Sequence, residues 1–360
     1  MSLCVTRLKL RDFRSYESFE MEPGERVTIV FGANAVGKTN IIEALQLLTS
    51  ASSFRNPSWA DCVRWGSEES SLLLEAEGDG RRLETRLLIS ARGRRSYSIN
   101  GTSKRTLSEV SGILPCVVFT PDDLRMVKES AERRRAAIDG VGDQLSATYF
   151  SLRSEYERTV RQRNALLKNQ TPDQGVMEAL TERLKNRGTS FSGHRKRLFT
   201  RLSKRLSETY EALVPGEHLG VMYESSWTRR GFEEESETGF EDALRLSERE
   251  ERARGTTLVG PHRDEIRFLL DGRDARTYAS QGQQRTIALA WKLAEVSVIT
   301  EVGGQQPILL LDDVMSELDE ARRHALASFV GEVAQTFVTT TNIGYFEPDM
   351  IERAHIVSLG

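Results

Sequence analysis

Gly32-Ala33-Asn34-Ala35-Val36-Gly37-Lys38-Thr39 is the stretch that decides the fold. It fits the pattern G-x-x-x-x-G-K-[ST] and sits between the apolar run Val27–Phe31 and the segment Thr39–Thr49. In that segment Ile42, Leu45 and Leu48 recur along one helical face. The two glycines permit backbone angles that aim successive amides inward, and the helix that follows adds its positive N-terminal end. Lys38 then supplies a point charge to the β- and γ-phosphates of a nucleotide, and the Thr39 hydroxyl is placed to ligate Mg²⁺. The bland alternative is a glycine-rich turn ahead of a helix. An apolar strand before it and an amphipathic helix after it are what a phosphate-binding loop requires, and both are present.

Two further elements carry related chemistry. Ile308-Leu309-Leu310-Leu311-Asp312-Asp313 is an apolar strand ending in two carboxylates. An Asp at such a strand end holds Mg²⁺, and the next carboxylate, Asp313, can polarise an attacking water. Two adjacent acids at a buried strand end are costly without a cation or a reacting water between them. Asp319 follows and is positioned to cap a helix or bridge to another subunit. Ser280-Gln281-Gly282-Gln283 precedes Thr286–Val298, an apolar-rich helix, so its amides form a second anion site at a helix start. One triphosphate seldom uses two such sites from one chain, so this turn is expected to meet the γ-phosphate held by a second copy. An ordinary serine N-cap is the alternative.

Composition narrows the setting. The 360 residues include 50 Lys+Arg against 53 Asp+Glu, a net charge of −3, so any nucleic-acid surface must be a local patch. Cys4, Cys62 and Cys116 have neither zinc-ligand nor disulfide-framework spacing, which fits a reducing compartment. The opening MSLCVTRLKLRDFRSYESFE has charges scattered through it, unlike a signal peptide, and no apolar run is long enough for a bilayer. A cytoplasmic protein with no membrane partner is expected.

Along the chain, Val5–Leu10 reads as a strand, and Leu72–Glu77, Leu83–Ser90 and Ser96–Asn100 read as an antiparallel meander. Cys116–Thr120 is a further apolar strand. From about Asp122 to Arg252 charged helical patterns dominate, the longest being Tyr149–Lys168 and Thr189–Leu213. Strand patterns return at Glu265–Leu270, Ile308–Asp312, Thr336–Thr341 and His355–Leu359. The fold class is therefore α/β, a P-loop ATPase head of mixed sheet with an antiparallel meander and an inserted helical lobe. The expected divisions are residues 1–121 and 253–360 for the head and 122–252 for the lobe.

The phosphate loop, the serine-glycine turn and the Asp-Asp strand occur in the order found in ABC-type ATPases. With LKLRDFRSYE, GANAVGKTNIIEAL, VVFTPDDL, ERRRAAID, RQRNALLK, VGPHRDEI, YASQGQQRTIALAWKLAE and ILLLDDVMSELDEARR, the chain resembles the RecF family of recombination-mediator ATPases, related to SMC and ABC heads. The resemblance implies ATP and Mg²⁺ as cofactors, with Gly32, Ala33, Asn34, Ala35, Val36, Gly37, Lys38, Thr39 and Asn40 on the phosphates and Ser280, Gln281, Gly282 and Gln283 acting from the second copy. It implies Lys38, Asp312 and Asp313 as catalytic residues and Thr39 and Asp312 as metal ligands. It also implies a homodimer formed on ATP binding, DNA as a partner, slow DNA-stimulated hydrolysis, and work with RecO and RecR in loading RecA at single-strand gaps, in replication restart and in the SOS response. Two features depart from common patterns. Ala35-Val36 stands where small or polar residues are more usual. Thr339-Thr340-Thr341-Asn342 stands where ABC transporter ATPases carry a histidine, which suggests slow hydrolysis with a hydroxyl sensing the γ-phosphate.

For DNA, two basic clusters are candidates: Arg133, Arg134 and Arg135, and Arg195, Lys196 and Arg197 on one helical stretch. A solvated helix face, or arginine stems covering the lobe, is the alternative. The acidic runs Glu233–Glu237 and Glu248–Glu251 are expected elsewhere on the lobe. The rival function is an ABC-type ATPase coupled to a protein rather than to DNA. A full SMC tether is excluded by the absence of long heptad arrays.

Overall fold

Asp12 and Arg14 take left-handed φ angles of 50° and 54° and reverse β1 (Cys4–Phe13) into β2 (Tyr16–Met21). β3 (Val27–Phe31) follows, then the phosphate loop and α1 (Lys38–Ser50). The meander β4 (Glu69–Gly78), β5 (Arg81–Ser90), β6 (Arg95–Ile99) and β7 (Thr102–Lys104) completes an antiparallel sheet in the order β2-β1-β4-β5-β6-β7. Every second residue of β4 and β5 is buried, among them Leu72, Leu74, Leu87 and Ile89, as one covered face demands. β8 (Cys116–Phe119) is buried throughout and leads to a 3₁₀ turn at Pro121–Arg125. This computed structural model describes residues 3–169, 171, 173–231, 239–332 and 335–360, so the acidic run Glu233–Glu237 lies outside the described residues.

The helical part comprises α2 (Ala131–Leu145), α3 (Ala147–Leu167), α4 (Gln174–Leu213) and α5 (Gly239–Arg254). α4 is 40 residues long, about 60 Å at 1.5 Å per residue. Asp173 caps it, accepting a hydrogen bond from the Val176 amide at 3.0 Å. Its buried stripe, Leu198, Leu202, Leu206 and Tyr210, keeps the i, i+4 spacing visible in the sequence. β9 (Leu219–Glu224), β10 (Glu265–Leu270) and β11 (Arg273–Asp274) form a three-stranded antiparallel sheet, followed by the single turn α6 (Ala275–Tyr278).

α7 (Gln281–Gly303), β12 (Ile308–Asp312), α8 (Glu320–Glu332), β13 (Thr336–Thr340), α9 (Pro348–Arg353) and β14 (His355–Ser358) complete the chain. A second sheet, parallel throughout, runs β14-β3-β13-β12-β8. Its central strands are buried on both faces, which is why ILLLD and VTIVF read as unbroken apolar runs. α1 touches strands of both sheets and buries Ile41, Ile42, Leu45, Leu47 and Leu48, so it is a core helix rather than a one-faced amphipathic one.

The chain divides into two compact units, residues 1–125 with 285–360, and residues 126–284. The second boundary falls well beyond Arg252. Six register pairs between β9 and β10, from Glu224↔Glu265 to Leu219↔Leu270, fasten the strand after the lobe to the lobe itself. The Ser280–Gln283 turn consequently groups with the helical unit.

Candidate nucleotide site

The phosphate loop leaves β3 at its C-terminal end and closes at Gly37, whose φ of 104° is open to glycine. A Cβ on Gly37 would lie 2.9 Å from both the Ser15 Oγ and the Tyr16 hydroxyl, and one on Gly32 would lie 2.9 Å from the Leu359 carbonyl. Both glycines are therefore required by close approach. Ala35 takes a left-handed φ of 65°, a conformation that costs an L-residue about 1–2 kcal/mol. Lys38 is buried, and its Nζ donates to the carbonyls of Gly32 at 2.8 Å and Ala33 at 2.7 Å. Asn34, Ala35, Gly37, Lys38, Thr39, Asn40, Arg55 and Asp313 line one cavity of about 280 Å³. Val36 is half-buried and does not line it.

Behind the loop, α1 carries Glu43, which is fully buried. Arg14 grips it with two bonds, Nε to Oε2 at 3.0 Å and Nη2 to Oε1 at 2.7 Å. Ser53 donates to Oε1 at 2.7 Å, and Arg55 Nη1 reaches Oε2 at 3.2 Å. The same Arg55 donates to Asn40 Oδ1 at 2.8 Å, while Asn40 Nδ2 donates to Ser15 at 3.0 Å. Arg55 thus enters the cavity as a second cation beside Lys38, braced by a carboxylate twelve residues away. Motif reading missed it, because nothing in SSFRNP marks an arginine held by the loop's own helix.

At the end of β12, Thr339 of the neighbouring strand organises both acids. Its Oγ1 donates to Asp312 Oδ1 at 2.9 Å and accepts the Asp313 amide at 2.9 Å. Thr39 lies near enough to Asp312 to favour its ionised form, so the two residues expected to serve the metal are neighbours. Burial raises the Asp312 carboxyl above the usual carboxylate range, against the pull of Thr339, Thr39 and the charges of Arg55 and Lys38. Asp313 stands at φ 52°, and burial raises its carboxyl too. Its Oδ1 is buried with no hydrogen-bond partner among the described residues. Thr339 and Thr340 are fully buried, and Thr340 is spent on Asn342, so neither hydroxyl is exposed toward a γ-phosphate.

The serine-glycine turn is described within the helical unit. Ser280 caps α7 reciprocally with Gln283: the Gln283 amide donates to Ser280 Oγ at 3.2 Å and the Ser280 amide to Gln283 Oε1 at 2.9 Å. The structure thus shows the serine N-cap, with the Ser280 and Gln283 amides engaged within the cap. Gln283 Nε2 continues to Glu217 at 3.2 Å, and Tyr210 near the end of α4 donates to that carboxylate at 2.8 Å. Ser280 and Gln281 are exposed, and Gly282 is half-buried. Asp319 caps α8, accepting the Arg322 amide at 3.0 Å.

The matching family model is the RecF/RecN/SMC N terminal domain, over residues 4–355. The DNA replication and repair protein RecF of Geobacillus kaustophilus is 39% identical over 98% of this chain and 96% of its own length. That of Symbiobacterium thermophilum is 39% identical over 94% and 92%. The chain belongs to the RecF family. A solved structure of the recombination mediator protein RecF-ATPrS in the RecFOR pathway superposes with a TM-score of 0.89 at 29% identity, covering 96% of this chain and 94% of that one. The Smc head domain of Pyrococcus furiosus, at 18% identity and a TM-score of 0.55, shares the fold. The RecF assignment agrees with the ABC-type ATPase head, the α/β fold and the phosphate loop; the expected mixed sheet is instead an antiparallel sheet and a separate parallel one.

In this RecF-family chain two expected DNA contacts are corrected. Arg134 is buried, donating to Glu265 at 2.8 Å and to the carbonyls of Met126, Val127 and Glu129. Arg195 is buried too, clamped by Asp139 through bonds of 2.9 and 2.7 Å and by the Pro261 carbonyl at 2.6 Å. Neither guanidinium reaches solvent, so neither can hold a DNA phosphate. Arg135 is half-buried on the Asp264 carbonyl at 2.5 Å, and Lys196 lies 4.9 Å from the Trp227 ring. Arg133 is half-buried and Arg197 exposed. The arginines therefore knit the lobe around the loop Thr257–Asp264, where Tyr156 and His262 share a 2.6 Å hydrogen bond.

Proposed function

We propose that this chain is an ATP-gated DNA-binding switch acting in recombinational repair. Two copies close around two nucleotides, grip DNA at single-strand gaps or junctions, and hydrolyse ATP slowly, faster when DNA is bound. Membership of the RecF family supports work with RecO and RecR in loading RecA, in replication restart and in the SOS response as part of this reading. The observation that carries the reading is the convergence of Lys38, Thr39 and Asp313 on one cavity, with Asp312 beside them at the same strand end and the Asp313 Oδ1 buried and unpartnered among the described residues. An orphaned carboxylate oxygen there costs free energy that an incoming donor would recover.

The residues fit an ATP-bound Mg²⁺. Thr39 and Asp312 would hold it, and it would neutralise charge developing on the β- and γ-phosphates. Lys38 turns from the loop carbonyls to the phosphates. Asp313, its affinity for protons raised by burial, accepts a proton from the water that attacks the γ-phosphorus, and ADP leaves with inorganic phosphate. The Ser280–Gln283 turn of the second copy meets the γ-phosphate, so cleavage removes the cross-subunit contact and loosens the dimer. DNA that binds only the closed dimer must stabilise it by linkage.

The test uses two variants and light scattering with ATP and Mg²⁺. Lys38→Met should lose nucleotide binding and dimerisation together. Ser280→Arg should still bind ATP yet stay monomeric. A normal dimer from either variant would refute the assignment.

A further inference from the structure

Trp65 is 98% exposed, although tryptophan is among the residues whose burial stabilises a fold most. It is not on a loose loop. The Ser67 amide donates to the Arg64 carbonyl at 3.0 Å, and Gly66 follows Trp65 at φ 86°, so Arg64–Ser67 is a hydrogen-bonded turn with glycine where a positive φ is needed. Asp12 fastens the turn, accepting from Arg64 Nε and from the Ser67 hydroxyl, each at 2.8 Å. The indole is therefore held out from a fixed base, with little ordering entropy left to lose on contact.

Beside it runs an edge of unusual charge. From Ser90 to Ser108 the chain carries five Lys and Arg residues and no carboxylate. This segment includes β6 and β7 at the edge of the antiparallel sheet and the turn Ala91–Arg94. The Ala91 amide donates to the Glu68 carbonyl at 2.8 Å, which seats that turn next to the tryptophan turn. The Arg92 and Arg94 side chains make no hydrogen bond or ion pair among the described residues. Arg95 lies 4.1 Å over the ring of Trp59, a second indole in the patch. Nearby acids are Glu68 and Glu69 around the start of β4 and Asp12 and Glu17, which pair with Arg64, while the segment Ser90–Ser108 has none.

We propose that this patch binds a single-stranded nucleic-acid segment, with an unpaired base stacked on Trp65 and its phosphates on Arg92 and Arg94. The inference rests on the DNA reading above and names the strand and the surface. A free aromatic face beside unneutralised guanidiniums is the arrangement that sequence-indifferent single-strand binding uses. A protein hot spot would instead be ringed by contacts that exclude water, and the chain neighbours of Trp65 are Arg64, Gly66, Ser67 and Glu68.

Fluorescence anisotropy of a labelled oligothymidylate, and of a blunt duplex of equal length, tests this on the full chain with ATP and Mg²⁺. Trp65→Ala should weaken oligothymidylate binding about tenfold, and Trp65→Phe should restore most of it. Arg92→Glu with Arg94→Glu should make the salt dependence shallower by about 1.4 log units per log unit of salt, the share of two single-strand phosphates. Thermal midpoints should stay at the wild-type value, since none of these side chains supports the core. Variants that bind the oligothymidylate as wild type does would overturn the patch and leave the DNA reading standing. A wild-type protein that binds neither DNA would overturn both.

Discussion

Thr339→Val replaces one hydroxyl with a methyl group of nearly equal size at a fully buried position. The change removes the 2.9 Å bond to Asp312 Oδ1 and strands the Asp313 amide, which also relies on Thr339 at 2.9 Å. A bond to a charged group contributes about 1.5–3 kcal/mol, and an unsatisfied buried amide costs about 1–3 kcal/mol. Allowing for the gain from the added methyl, the loss should be about 2–4 kcal/mol. For a unit of roughly 200 residues that is about 2–4 °C in melting temperature for each kcal/mol. Catalysis should suffer in a distinctive way. The Thr339 bond is the first influence opposing the burial that raises Asp312, so without it the carboxyl rises further. The acid limb of the ATPase pH profile should then move to higher pH, and Thr339→Ser should restore it. Calorimetry and pH-resolved phosphate release check both halves. A valine variant with wild-type melting and an unmoved acid limb would refute the claim that this hydroxyl organises the two acids.

Three further outcomes are expected. Arg195→Met leaves Asp139 buried without its partner and should cost about 3–5 kcal/mol in chemical denaturation, whereas Lys196→Gln should cost under about 1 kcal/mol; equal losses would contradict the buried role. Gly260→Ala combines a φ of 132° with a Cβ driven into the Tyr156 hydroxyl, so it should destabilise by about 3 kcal/mol or more, and a neutral result would mean that the loop Thr257–Asp264 is free to shift. Burial lowers the His262 imidazole to about 3, with the charges of Arg263, Arg135 and Arg195 acting the same way. Between the ordinary value near 6.5 and about 3, the unfolded chain takes up a proton that the folded chain refuses. Stability therefore falls as pH drops through that window, by about 2 kcal/mol at pH 5. His262→Gln should lack that component when the denaturation midpoints of the two proteins are compared at pH 8 and 5.

The parts of this molecule legible from sequence are those where a local rule governs. The phosphate loop declares itself because Gly37 must take φ 104° and Lys38 must follow it. The meander declares itself through period-two burial in β4 and β5. β2 and β9 were missed because YESFEM and LGVMYE bury little on either face. The basic clusters misled for a deeper reason: Arg134 finds Glu265 and Arg195 finds Asp139 at separations of 131 and 56 residues, and a helical charge run looks the same whether its partners are water or a distant carboxylate. Arg55 was hidden similarly, because its role depends on Glu43 being buried in α1. The lobe boundary moved to Gln284 because pairing of β9 with β10 is a long-range choice.

Sedimentation velocity with Mg²⁺ and a non-hydrolysable ATP analogue bears most directly on the two-copy site. The wild-type chain should shift from a single-copy to a two-copy boundary as protein concentration rises, and only when nucleotide is present. A boundary that stays single-copy at saturating nucleotide and high protein concentration would contradict the trans role of Ser280–Gln283 and the DNA grip built on it.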